Sequence, residues 1–394
     1  MHDRDTGVLE MSVQVQRSKP TSRRRISDIS SEHEEKSWVK IKDLLAVDVG
    51  GGTQDILLWQ EGVEIENCVK LILPSWSRII AAQVREATRT GQPIFLYGRL
   101  MGGGACNSAV RAHIRRGLRV MATPETALTL HDNLHRVREM GVEISEEPLD
   151  GARKIRMRDI DVELLTRCLE PYGITMPQNV AVAVQDHGYC PESSNRAFRF
   201  QNWEQFIRSS GKLNDAVYLK PPQHLTRMLA VQKDVPRALV MDTCMAAIRG
   251  ALLDETVAMH RDEGILIVNV GNHHLTAALI LEDRIWGVME HHTEALDTEP
   301  IMRFLERFYT NVLSNREIFD DGGHGCMVHP DFPGFHRKPF VSVTGPKRGL
   351  LRGTGVHFAA PCGDMMLTGC FGLLDAALSM SGQSSPVEKS RFKE

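Results

Sequence analysis

The sequence predicts an α/β protein of two duplicated halves. Three observations predict it. Residues 44–59 read as strand, glycine turn and returning strand, and residues 264–281 repeat that pattern about 220 residues later. Small residues at Ala246, Ala247 and Gly250, and again at Gly369 and Gly372, mark two helices able to pack closely against each other.

The first unit runs Leu44-Leu45-Ala46-Val47-Asp48-Val49-Gly50-Gly51-Gly52-Thr53-Gln54-Asp55-Ile56-Leu57-Leu58-Trp59. Its glycines let the backbone approach a ligand without Cβ interference. The N–H groups of such a turn form a nest for phosphate oxygens, with Gly50, Gly51, Gly52 and Thr53 as the contacts. Asp48, ending the first strand, suits Mg²⁺, which takes one or two carboxylates together with water and phosphate oxygens. Asp55 would brace the loop or polarise water. A Walker A loop lacks the return strand, and a Rossmann turn leads directly into a helix, so the unit is neither.

At 394 residues the chain is long enough for two domains. A net charge of −3 gives no reason to expect nucleic-acid binding. No apolar run reaches transmembrane length and no signal peptide is visible, so a cytoplasmic protein without membrane contact is expected. The eight cysteines are scattered with no Cys-x-x-Cys pair, which fits reduced thiols.

Residues 1–37 read as a disordered tail, with a basic stretch at residues 23–27. An N-terminal domain is expected over 38–253 and a C-terminal one over 254–378, with a flexible tail from 379 to 394. Within the first domain, a helix is predicted over 75–90 and a strand over 93–97. A glycine-rich loop over 98–104 then opens a helix and forms a second candidate anion site. Single helices are predicted over 123–140 and over 157–169. The strand over 179–185 ends in Asp186-His187-Gly188, at the strand end where α/β sheets bind ligands. Asp186 is the candidate proton acceptor. Residues 190–235, with Pro191, Pro221 and Pro222, read as an irregular insertion or lid.

The second unit places Asn269, Gly271 and Asn272 where the first has Asp48 and its glycines. Asn hydrogen-bonds but carries no charge to a metal and cannot act as a base, so fast hydrolysis is not expected there. His273 and His274 follow. Farther on, His324, Cys326 and His329 form a loop with metal-ligating side chains, short of the four ligands of a structural zinc site. The strand over 340–346 ends at Gly345, and a closing helix starts near residue 361.

The Asp-x-Gly-Gly-Gly-Thr-x-Asp string at 48–55 resembles the first phosphate motif of the actin-like ATPase superfamily, which contains actins, heat-shock chaperones, sugar kinases and reductive activases. The unit at 264–281 resembles its second phosphate motif, with Asn269 where the superfamily usually has Asp. The turn at Gly345 resembles its adenosine motif. The resemblance spans roughly residues 40–378 and implies two actin-like (ribonuclease H-like) domains closing over Mg²⁺ and ATP. In detail the chain is similar to a prokaryotic family labelled "putative pyruvate formate-lyase activating enzyme". Radical activases carry a Cys-x-x-x-Cys-x-x-Cys motif, which this sequence lacks.

The implied activity is phosphoryl transfer to a small hydroxylated substrate, or ATP-driven activation of a protein partner. A non-hydrolysing nucleotide sensor is the alternative that Asn269 favours. A further alternative is a reductive activator, a homodimer sharing an Fe–S cluster, with Cys326 and Cys362 as conceivable thiolates.

Overall fold

The structure, a computed structural model, describes Trp38 and residues 40–384. The expected tail at 1–37, its basic stretch at 23–27 and residues 385–394 lie outside the described residues. The rest is mixed α/β with several sheets.

The opening hairpin forms as expected. Asp43–Val49 pairs antiparallel with Thr53–Gln60, which pairs antiparallel with Val69–Pro74. On its other side Asp43–Val49 runs parallel to Val180–Val184, which runs parallel to Leu239–Met241; the short strand Val217–Tyr218 closes that edge. In the second sheet, Ile265–Val270 pairs antiparallel with His274–Leu281, and that strand with Arg284–His292. Beyond it Gly325–Val328 adds an edge strand. On the other side Phe340–Thr344 and then His357–Phe358 run parallel. Each sheet thus sets an antiparallel three-strand meander beside two parallel strands.

The register makes the correspondence specific. Asp48 lies opposite Asp55 and Ala183, while Asn269 lies opposite Thr276 and Thr344. The two side chains therefore stand at matching positions near the ends of the two central strands. Those strands are apolar on both faces because helices cover both: Leu44, Leu45, Ala46, Val47, Ile265, Leu266, Ile267 and Val268 are all fully buried.

The two small-residue helices, Thr243–Ala251 and Thr368–Met380, pack against each other as their sequences predict. A Cβ at Gly250 would fall 1.8 Å from the Thr368 carbonyl oxygen, and one at Gly372 2.0 Å from that of Ala246. Only glycine permits this approach. A third sheet of four parallel strands, with Ile94–Gly98 between Val120–Ala122 and Arg153–Met157, shares a separate apolar core with the helices Trp76–Thr90 and Gly104–Arg115.

Several elements differ from expectation. The helix expected over 123–140 is two short ones, Pro124–Ala127 and Leu134–Glu139, because Asn133 caps the second by accepting from His135 and Arg136 N–H. Met157 ends a strand, and the following helix is Val162–Leu169, started by the Asp161 cap. The stretch 190–235 is not irregular: it contains the helices Asn195–Ser209 and Thr226–Asp234. The chain does not become a free tail at 379 either. The last helix runs to Met380, and the Gln383 side-chain amide accepts from Ile41 N–H and donates to its carbonyl. Among the described residues, no helix is long and apolar enough to cross a membrane.

Candidate functional site

Three glycine loops from distant parts of the chain line one cavity of about 330 Å³. They are Gly50–Gly51 of the first hairpin, Gly102–Gly104 before the second helix, and Gly271 of the second hairpin. Thr53, Asn269, Asn272 and Gly345 line it too, as do the carboxylates of Asp48, Asp55, Asp159 and Asp186. Of the residues singled out in sequence as phosphate and metal contacts, all but Gly52 line this one cavity. The anion loop expected at 98–104 also faces it.

The two hairpin turns touch. A Cβ at Gly51 would fall 2.0 Å from Cδ2 of His273, and one at Gly52 2.4 Å from Nδ2 of Asn272. Gly345, with φ of +95°, tucks its Cα against the Val270 carbonyl and the Asn269 side chain, where a Cβ would sit at 2.5 and 2.6 Å. Asp48 accepts a 2.6 Å hydrogen bond from Thr243 Oγ1, and its carboxylate fills the space that a Cβ on Gly369 would occupy. The helix pair thus clamps the base of the first turn.

Burial pushes Asp48 up to about 7, with Asp242 adding to the rise and the Thr243 hydrogen bond opposing it. Asp55 rises to about 8 through burial and then the charge of Asp48, its neighbour across the hairpin. Asp55 Oδ1 is buried without a hydrogen-bond partner. Two adjacent carboxylates, one with an orphaned oxygen, fit a cation-binding role, since a divalent ion would supply the charge that burial denies them.

A pH effect follows. Between about pH 4 and about pH 8 the folded chain holds protons on Asp48 and Asp55 that the unfolded chain has released, so ligand-free stability falls as pH rises through that window. Asp48→Asn should flatten this fall and melt a few degrees above the parent near pH 8.5, a shift of about 1–2 kcal/mol. Thermal melts across pH check it, and a parent that grows more stable over the same range refutes it.

Asp186 is differently placed. Its Oδ1 accepts from Gly188 N–H, and its Oδ2 from the N–H groups of Arg227 and Met228 at the start of the helix Thr226–Asp234. Burial raises it to about 6 against those hydrogen bonds and Arg227. Arg227 itself forks onto Asp159 at 2.7 and 2.8 Å beside the cavity.

Beneath the cavity floor lies a network that sequence reasoning missed. Arg199, 2 % exposed, donates to Glu290 Oε2 at 2.6 Å and to both oxygens of Asp242 at 2.8 and 3.2 Å. Its remaining bonds go to the Asp186 carbonyl and Cys244 Sγ. Burial acts to raise Glu290, but Arg199, then His324 and His274, hold it well below the usual carboxylate range. Gln185 Nε2 donates to its other oxygen at 2.7 Å. The one sequence signal was Glu290 itself, an acid directly after the apolar pair Val288-Met289 in the strand Arg284–His292.

His187, His274 and His324 converge beside Glu290, with His292 against them. The candidate ligands His324, Cys326 and His329 do not assemble into one group. Cys326 is buried with its thiol donating to the Leu313 carbonyl, and His329 packs edge-on against Trp286. Burial pushes the thiols of Cys326 and Cys362 up to about 12, which disfavours the thiolates a cluster needs.

No curated protein matches the chain. Solved structures similar to it include a ROK-family transcriptional regulator, a homolog of the E. coli MLC protein (11% identity, TM-score 0.25, covering 62% of this chain and 37% of that one). Others are the ethanolamine utilization protein EutJ from Carboxydothermus hydrogenoformans (11%, 0.30, covering 85% and 89%) and a Ppx/GppA family member from Aquifex aeolicus (10%, 0.28, covering 88% and 92%). The chain spans little more than a third of the ROK regulator's own length. At these scores the likenesses carry no argument, and the fold is read from the sheets themselves. A family model described as "Putative pyruvate format-lyase activating enzyme (DUF1786)" matches residues 101–350, which include the second glycine loop, the Arg199 network and the histidine cluster. The resemblance read from the sequence holds, and the chain belongs to this family.

Proposed function

We propose that the chain is a Mg²⁺-nucleotide-binding protein of the actin-like ATPase type, whose two halves, 38–253 and 254–378, close on ATP phosphates. The observation that carries this reading is the meeting of two like hairpin turns over one cavity, with Asp48 and Asn269 at matching strand positions. Gly50, Gly51, Gly52 and Thr53 would hold phosphate from one side, and Asn269, Gly271 and Asn272 from the other. Gly345 would lie against the adenosine. Asp48 would hold Mg²⁺, with Asp55 bracing it. The cavity lining carries more carboxylates than basic side chains, so a phosphate chain would enter with its cation rather than bare.

Two uses of the nucleotide are consistent with this site: phosphoryl transfer to a small hydroxylated substrate, or ATP-driven activation of a protein partner, the use closer to the family's description. In either, Asp186 serves better by fixing the loop and the helix start than as a base, because its oxygens already accept three backbone N–H groups. Asn269 favours a second reading, nucleotide binding without turnover. ADP release in the presence of candidate substrates or partners separates the two.

The test is calorimetric titration with ATP and Mg²⁺ beside Asp48→Ala. Micromolar binding is expected for the parent, weakened at least ~100-fold, about 2.7 kcal/mol, in the variant. No binding to a folded parent would overturn the reading.

A further inference from the structure

We propose that His187, His274 and His324 form a site for one divalent transition-metal ion of the zinc class, separate from Asp48 and with a free coordination position toward the cleft. The three come from segments far apart in sequence. His187 follows the strand Val180–Val184, His274 starts the strand His274–Leu281, and His324 immediately precedes Gly325–Val328. Nevertheless one ligand atom of each lies within 4.8 Å of the others. A point equidistant from three atoms at that spacing lies about 2.8 Å from each, so contractions of about 0.7 Å reach the zinc–imidazole distance.

The segments that carry the rings are fixed by contacts that do not use the metal. Asp186 accepts from Gly188 N–H across the turn that carries His187. His324 N–H donates to the Glu290 carbonyl at 2.9 Å. Glu290 Oε1 lies 3.2 Å from Nδ1 of His274 and 3.7 Å from Nδ1 of His324. A carboxylate so placed orients ligating imidazoles from behind and leaves the far nitrogen of each ring for the ion. His292 packs against the His274 and His324 rings, tilted to one and edge-on to the other, with centroids 4.9 Å away.

The charge surroundings suit a cation. Arg199 stands behind Glu290, but Asp242 and Glu290 together more than neutralise it. Three imidazoles with no oxygen ligand select zinc, iron, copper or nickel over magnesium. Since His187 and His274 also line the cleft, the ion would keep a position there for water or an anionic oxygen, the arrangement of a catalytic rather than a structural site.

The experiment uses the full chain, stripped with chelator and titrated with Zn²⁺ or Co²⁺ alone, with excess Mg²⁺ present. One equivalent of zinc per chain is expected, together with a visible Co²⁺ absorption that Zn²⁺ quenches. His187→Asn and His324→Ala should each lower zinc affinity at least tenfold, while His329→Ala, which alters the sequence-adjacent histidine, leaves it unchanged. Because buried His324 is a risk to folding, half-buried His187 supplies the decisive variant, with its melt measured alongside. A folded parent that takes up no zinc, or a folded His187→Asn that binds as the parent does, overturns the proposal. Nucleotide binding is not part of the readout, so the site stands or falls apart from the ATP reading.

Discussion

Arg199→Ala should destabilise the protein by about 3–5 kcal/mol, the largest stability loss expected of any single polar substitution here. The guanidinium is buried between Asp242 and Glu290 and pairs with both, while His274 and His324 stand beside Glu290. Removing it leaves two buried carboxylates without the guanidinium between them, which costs more than the pair contributed when intact. It also unties the Asp186 carbonyl and Cys244, so the strand end under the cavity loses its anchor. The melting temperature should fall by about 4–7 °C. Arg199→Lys keeps the charge but not the fork, and should recover only part of the loss. A melt of Arg199→Ala within about 2 °C of the parent would show that the network is dispensable.

That arginine also marks where sequence reading ran out. The glycine turns were legible because their requirement is local: a string of residues without Cβ between two apolar strands has few other uses. The helix pair was legible for the same reason, since Gly250 and Gly372 announce close approach in the sequence itself. Arg199 lies in the helix Asn195–Ser209, where Phe200, Trp203 and Ile207 share the buried face with Arg199 itself. That helix packs against the strands Arg284–His292 and Gly325–Val328, and an arginine beside an apolar stripe reads in sequence as solvated, because arginine is rarely fully buried unless paired. The histidine site was hidden by distance: three residues between 187 and 324 carry no spacing that predicts their meeting. Spacing instead grouped His324 with Cys326 and His329, and the edge strand beginning at Gly325 separates them.

Gly51→Val should abolish Mg²⁺-nucleotide binding, a loss of at least ~100-fold, and the reason for the loss can be isolated. Gly51 does not need its glycine for backbone conformation, because its φ is not among the positive ones. It needs the space: a Cβ would fall 2.0 Å from Cδ2 of His273, a half-exposed ring that also pairs with Glu294 at 3.4 Å. Two explanations of a damaged Gly51→Val variant then differ. If the turn only lets the hairpins meet, His273→Ala in the same chain should restore all that the valine removed. If phosphate lies against the Gly51 backbone, the valine still blocks it after the imidazole is gone, and His273→Ala restores stability without restoring binding. Melting and titration of the two single variants and the double variant close the cycle. Full recovery of binding in the double variant would remove phosphate from this turn and leave the glycines as packing devices; recovery of the melt alone would place the ligand there.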